Sequence, residues 1–161
     1  MIKTNNELPS VSVKIIKNND IKEINFKEYA SYKKLVVFAV PGAFTPTCNN
    51  SHLPHFISQI DAFKKKGVDE IICLAVNDAF VLKVWAAHHK AENKVTFMAD
   101  GNAEVTRALG MILDATPFGM GVRSQRYSMY VDNGIIRLIN VEPSSGACII
   151  SDASALLSQI S

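Results

Sequence analysis

The chain has 161 residues, 48% of them hydrophobic and 20% charged, with a formal net charge of +2. That length suits a single domain over 1–161 and lets folding bury roughly 70% of the unfolded surface, enough for a core without staples. The composition excludes disordered and collagen-like classes, and no apolar run reaches the roughly 20 residues of a membrane span. The charge is too small to argue for nucleic acid, so neither a membrane nor a nucleic acid is expected as a partner.

The opening MIKTNNELPS has neither the apolar core of a secretory signal nor the Arg-rich, acid-poor character of a transit peptide, so a cytoplasmic location is expected. The three cysteines, Cys48, Cys73 and Cys148, are an odd number and far from a secreted disulfide framework. At least one thiol must lack an intramolecular partner.

In chain order, VSVKII and the segment from Ile21 to Phe26 read as a small N-terminal β addition. LVVFAV (Leu35 to Val40) is short and β-branched, as a strand should be. Leu53, Phe56, Ile57, Ile60 and Phe63 then recur at helical spacing, predicting one helix from Cys48 to Lys66 with Gly67 as its stop. Lys64, Lys65 and Lys66 are its solvated last turn. IICLAV (Ile71 to Val76) is a second strand, which makes the strand–helix–strand a right-handed parallel crossover.

Asn77 or Asp78 caps a further helix, whose inner face is expected at Phe80, Val81, Val84, Trp85 and His88. VTFMA is another strand, and Asn102 to Gly110 a short helix. Asp132, Asn133 and Gly134 separate two apolar runs, a hairpin signal. Asp152 caps a last helix that ends at Ile160. The expected architecture is α/β, with a central mixed β-sheet flanked by α-helices.

The chemistry concentrates in PGAFTPTCNNSHLPHF, Pro41 to Phe56. Cys48 follows a strand and enters the first turn of a helix, with Thr45 as N-cap and Pro46 at the first helical position. Unpaired N–H groups and the positive end of the helix dipole favour thiolate there. Lowering a thiol pKa from about 8.5 to about 6 raises its thiolate fraction at pH 7 from a few per cent to about 90%. Thr45, one turn before Cys48, is placed to donate to a polar substrate atom, and Pro41 can shield the sulfur without adding a donor.

VPGAFTPTC resembles the active-site segment of peroxiredoxins, in the form found in the type II, peroxiredoxin-5-like group. The similarity continues through SHLP, CLAVNDAFV, the Ala99 to Gly101 segment, RSQRYSM and NVEP, most clearly over residues 35 to 143. The resemblance implies a thioredoxin-like fold and a thiol peroxidase without metal or organic cofactor. It implies Cys48 as peroxidatic nucleophile, Thr45 as a peroxide hydrogen-bond donor, Pro41 as shield and Arg126 as the cation near the thiolate. Arg123 is a second candidate support. It also implies a homodimer with its contact near the active-site ends, where Phe44 and Phe80 are candidates, although both suit a core as well.

Cys73, inside IICLAV, reads as a core cysteine. Members that form an intramolecular disulfide carry their resolving cysteine near Cys148, but GACIISDA is more similar to the GAF-x-x-S-x-A pattern of members without one. A one-cysteine cycle is expected, with Cys48 reduced by glutathione and glutaredoxin or by thioredoxin. Resolution by Cys148, or by Cys73, stays open, as does a non-enzymatic redox sensor. A thioredoxin-type C-x-x-C is absent, because Ser51 stands three residues after Cys48. His52 and His55 share a helix face with Cys48, but the spacing fits no familiar zinc pattern and Pro54 distorts the helix between them. His55 stands where relatives commonly have glycine. His88 and His89 are expected to face one inward and one outward.

Overall fold

The computed structural model covers residues 1–161 and describes the backbone throughout and every side chain except that of Cys48. Strands β1 (Ser12–Lys17) and β2 (Asp20–Asn25) open the chain, followed by the short helix α1 (Phe26–Tyr29) and strand β3 (Lys34–Val40). A π-helical turn, Cys48–His52, leads into α2 (Leu53–Ser58), α3 (Ile60–Lys65) and β4 (Glu70–Ala75). Helix α4 (Ala79–His88), β5 (Thr96–Ala99) and α5 (Glu104–Ala108) come next. Strand β6 (Ile112–Asp114), a 3-10 turn (Thr116–Phe118) and β7 (Val122–Ser124) precede β8 (Tyr127–Asp132), β9 (Ile135–Val141) and α6 (Ala153–Gln159).

Among the described residues, one sheet runs in the order β2-β1-β5-β4-β3-β8-β9, and β6 pairs with β7 separately. Strands β3, β4 and β5 are parallel, while β1 and β8 flank them antiparallel. Central strands are covered on both faces, which explains why LVVFAV is apolar without alternation. Val36, Phe38 and Val40 face a core closed by α2, α3, α4 and α6. Leu35, Val37 and Ala39 face the other core, with Phe26 of α1, Val105 of α5 and Tyr127. The N-terminal hairpin is part of the sheet, since β1 pairs with β5 through Ile15 and Met98. The β8–β9 hairpin turns through Asn133 and Gly134 at φ 50° and 78°, the left-handed pair its sequence requires.

Three expectations are corrected. The single helix from Cys48 to Lys66 is a π turn and two helices, bent at Gln59 (φ −108°, ψ 9°). Pro54 has no N–H for the carbonyl four residues back, and a wider turn before it accommodates that loss.

The inner face of α4 is Ala79, Leu82, Trp85 and Ala86, whereas Phe80 and Val84 are 75% and 62% exposed and His88 is exposed. The segment is apolar around most of its circumference, so spacing alone did not set its phase; small alanines pack toward the sheet instead. Asp152 has the extended backbone of an N-cap, but its side chain makes no cap bond and turns to His55 and Cys148. Strands β6 and β7 had no clear signal in the sequence.

Candidate active site

The site gathers where β3 ends. Parallel β4 ends beside it at Ala75, and antiparallel β8 begins opposite, pairing Tyr127 with Ala39. Arg126 therefore arrives next to Pro41, and Glu142, after β9, next to Arg126, where the Glu142 N–H donates to the Arg126 carbonyl at 2.9 Å. This is the carboxyl end of the parallel strands, the usual crevice of an open α/β sheet.

After β3 the chain reverses through Phe44, a non-glycine residue at φ 64°, and the Ala43 N–H donates to Asn77 Oδ1 at 2.9 Å. Arg123 Nη1 donates to the Pro41 carbonyl at 3.3 Å and its Nε to the Met120 carbonyl at 3.0 Å. A Cβ at position 42 would lie 2.6 Å from Arg123 Nη1, so a side chain there would displace the guanidinium end from its present place. The Thr45 hydroxyl donates to the Gly42 carbonyl at 2.8 Å, and the Thr45 carbonyl accepts from Asn49 N–H, the first bond of the turn. Pro41, Thr45, Pro46 and Arg126 line one cavity of about 280 Å³, with Leu113 and Met120 on its apolar side.

The backbone of Cys48 opens the π turn at this place. Its sulfur, the expected nucleophile, lies outside the described residues. On one side of the turn, Asn49 Oδ1 accepts from Trp85 Nε1 at 3.1 Å and from His89 Nε2 at 2.7 Å, pinning the turn to α4. Burial, with the neighbouring His88, lowers the His89 pKa below its ordinary value.

His52 and Arg126 meet beneath the turn, both fully or almost fully buried. Arg126 Nη1 donates to His52 Nδ1 at 2.9 Å, and Arg126 Nε donates to the Ser145 carbonyl at 2.9 Å. His52 Nε2 stands 3.0 Å from the Ser151 carbonyl, which can only accept, so the proton is on Nε2. Burial first, and then the Arg126 charge, push the His52 pKa down to about 3.

Glu142 Oε2 accepts from the N–H groups of Ile149 and Ser151 and from the Ser151 hydroxyl, at 2.7 to 2.8 Å. Burial would raise its pKa, but these bonds outweigh burial and hold the carboxyl below its ordinary range. Thr47 closes the loop from the other side, donating to the Gly146 carbonyl at 2.9 Å.

Cys148 sits on that loop, half-buried, with its thiol directed to Asp152 Oδ1 at 3.7 Å. Burial and the Asp152 charge push its pKa up to about 12, against an opposing pull from Arg126. His55 Nδ1 lies 2.8 Å from the same Asp152 oxygen. Cys73 is buried within β4, paired in register between Phe38 and Phe97.

Of the residues singled out from sequence, Pro41, Thr45 and Arg126 therefore share one cavity; Cys73 lies in the core and Cys148 on the loop beside Arg126. Both ring nitrogens of His52 are engaged, which removes it as a metal ligand. Phe44 and Phe80 are 45% and 75% exposed and so are not core. His52, Glu142 and Ser151, which hold Arg126 and its loop, went unrecognised as a group. Their one signal was polar residues inside otherwise apolar blocks, HLP and NVEP.

A mixed sheet covered by helices, with a cysteine turn following the first of its parallel strands, is a thioredoxin-like redox fold. The redoxin family profile matches residues 3–157. Peroxiredoxin-2C of Arabidopsis thaliana is 43% identical over 140 residues, 87% of this chain and 86% of that protein. Reduced peroxiredoxin 3 of Vibrio vulnificus in complex with hydrogen peroxide matches with a TM-score of 0.91 at 41% identity, covering 99% of this chain and 96% of that one. The Plasmodium falciparum antioxidant protein, a 1-Cys peroxiredoxin, matches with a TM-score of 0.90 at 30% identity, covering 96% of each chain. The chain belongs to the redoxin family and is a thiol peroxidase, a peroxiredoxin of the type II, peroxiredoxin-5 kind. Its substrate is a peroxide and its reductant a thiol.

Proposed function

We propose that Cys48 is the peroxidatic cysteine and that Pro41, Thr45 and Arg126 complete the reacting site. The observation that carries this reading is that those three residues line one cavity at the end of β3, where the Cys48 turn begins. The Cys48 thiolate attacks one peroxide oxygen; the S–O bond forms as the O–O bond breaks, and sulfur gives up two electrons. The departing oxygen leaves as hydroxide or alkoxide, takes a proton and becomes water or an alcohol. Arg126 stabilises the growing negative charge, and the Thr45 hydroxyl rotates from Gly42 to donate to the peroxide. Pro41 keeps water and competing donors off the sulfur.

Cys48 becomes a sulfenic acid, which a thiol condenses with to give a disulfide and water. A second, external thiol supplies the reducing electrons, from glutathione with glutaredoxin or from thioredoxin. The setting of Cys148 supports the external route, because burial first and then the Asp152 charge hold it as a thiol and the thiolate is the attacking form. A relative named as a 1-Cys peroxiredoxin points the same way. The role is antioxidant defence and redox homeostasis in the cytoplasm, where the thiol pool keeps such cysteines reduced. Phe44, Phe80 and Val84, exposed near the site, suit the contact of a homodimer, which sedimentation velocity reads directly.

Replacing Cys48 by serine is expected to abolish peroxide consumption with reductant present. Intact mass after one equivalent of peroxide is expected to show a reducible gain of one oxygen. A Cys48–Cys148 bridge would overturn the external route, and undiminished consumption by C48S would overturn the whole reading.

A further inference from the structure

Two aspartates stand at helix N-caps with almost the same backbone. Asp78 (φ −74°, ψ 166°) caps α4, its side chain accepting from the N–H of Val81, three residues on, at 2.9 Å. Asp152 (φ −69°, ψ 159°) precedes α6 in the same conformation, and its carbonyl accepts from the Leu156 N–H in the ordinary way, but its side chain makes no cap bond. Backbone geometry is not what keeps Asp152 from capping. Giving up a cap leaves a helix N–H unpaired, so another group must hold the carboxylate elsewhere.

His55 is that group. Its Nδ1 lies 2.8 Å from Asp152 Oδ1. The same oxygen accepts from the Cys148 thiol at 3.7 Å, so it is an acceptor to both and Nδ1 carries a proton. His55 is carried by α2, whose Leu53 and Phe56 are buried in the core, so the place of the ring is set by the helix and not by the loop. On the loop side, the Ile149 N–H donates to Glu142 Oε2 at 2.8 Å, which fixes the chain next to Cys148.

We infer that His55 is the positioning residue that draws the Asp152 side chain off the end of α6 and onto Cys148, and so keeps this thiol out of the resolving step. This rests on the peroxidase reading above and adds to it the residue that leaves the oxidised Cys48 to an external thiol. For Cys148 to resolve, its thiolate must attack the Cys48 sulfenic sulfur; the S–S bond forms as the S–O bond breaks, and hydroxide leaves as water with the proton the thiol gave up. A carboxylate at the sulfur opposes that thiolate by adding charge repulsion to what burial already does. Without His55 the carboxylate is drawn the other way, to the first N–H groups of α6, where Asp78 shows that the same backbone allows the cap.

His55→Ala and His55→Asn separate this role from simple contact. H55A removes the donor, whereas in H55N the amide nitrogen stands near the place of Nδ1 and keeps it. With no peroxide added, alkylation of Cys148 by iodoacetamide at about pH 9 is expected to rise about fivefold in H55A and to stay near the parent rate in H55N. In a D152N background H55A is expected to add nothing, because no carboxylate is left to aim. The Ala155 N–H, three residues after Asp152, is expected to exchange with solvent about fivefold more slowly in H55A, as the carboxylate moves onto it. After one equivalent of peroxide, disulfide mapping is expected to find more Cys48–Cys148 bridge in H55A than in the parent.

Unchanged alkylation in H55A, an equal rise in H55N, or the same rise from H55A in the D152N background would overturn the inference. So would faster alkylation with no added disulfide while peroxide is still consumed. An Ala155 amide already protected in the unsubstituted chain would overturn it as well, and that measurement needs no variant. Alkylation and exchange are read without peroxide, so a failure of the peroxidase reading, seen as no peroxide consumption by the unsubstituted chain, is told apart from a failure of this one.

Discussion

The loop after β9 is held at two places by different chemistry. At Ser151 it is buried, and one carboxylate oxygen of Glu142 collects three hydrogen bonds while the Ser151 carbonyl takes the His52 proton. At Cys148 it is half-buried, with one long thiol contact to Asp152, and the adjoining Ile149 and Ile150 are 72% and 44% exposed. The charges are also divided: Arg126 keeps neutral acceptors at His52 and Ser145, whereas Cys148 sits beside a carboxylate. The first arrangement favours an anion and the second suppresses one. Two positions on the same loop thus carry opposite electrostatic instructions, as the proposed division between a reacting Cys48 and a silent Cys148 requires.

Removing the cation should break the comparison most severely. Arg126→Gln is expected to lower the peroxide rate constant about 10²- to 10³-fold, measured by stopped-flow competition, because it removes charge stabilisation at the reacting oxygen. A change below about tenfold would remove Arg126 from the reacting site.

Loosening the tight end comes next. Glu142→Gln is expected to cost about 2 kcal/mol of stability by weakening charge-assisted bonds, read by denaturant unfolding. The sign with pH follows from the carboxyl being held below its ordinary value in the fold. Its contribution is complete above the unfolded value of about 4.3 and is lost as pH falls through the folded one. Acid unfolding of E142Q should therefore be flatter than that of the parent below about pH 4.3. His52 acts in a higher window in both proteins: it binds its proton more readily unfolded, so stability falls as pH drops below about 6.5, by at most ~1.4 kcal/mol per pH unit.

The smallest expected effect is at the loose end. Burial first, and then Asp152, hold the Cys148 thiol up at about 12, and Asp152→Asn removes the second of these, the negative charge and the strong acceptor. Its pKa should drop by about one unit, raising Cys148 alkylation at a given alkaline pH about tenfold, as read by mass spectrometry. Some Cys48–Cys148 disulfide should also appear after peroxide. No change in alkylation would mean that burial, and not Asp152, silences this thiol.

Much of the fold was legible in the residues because local signals agreed with the global one. Leu35 to Val40 is apolar on both faces, Gly67 and Gly134 stand where positive φ is needed, and Asp78 caps α4 through the Val81 N–H at 2.9 Å. The phase of α4 was not legible, since a segment apolar on nearly all sides offers no moment to orient it and the choice fell to how closely Ala79 and Ala86 approach the sheet. Nor was the break at Gln59, because Phe56 and Phe63 keep helical spacing on both sides of it.

By itself, the sequence determined the frame proposed to react: Pro41, Thr45, Pro46 and Cys48 lie within eight consecutive positions, so covalent geometry alone keeps them together. Only the tertiary structure decided what completes that frame. Arg126 is 78 positions from Cys48 in the chain and reaches the site because β8 pairs antiparallel with β3. His52, Ser151 and Glu142 converge on it because the π turn and the loop after β9 meet at the same sheet end. Charge partners separated by this much chain are selected by packing and strand register, and no local pattern records them.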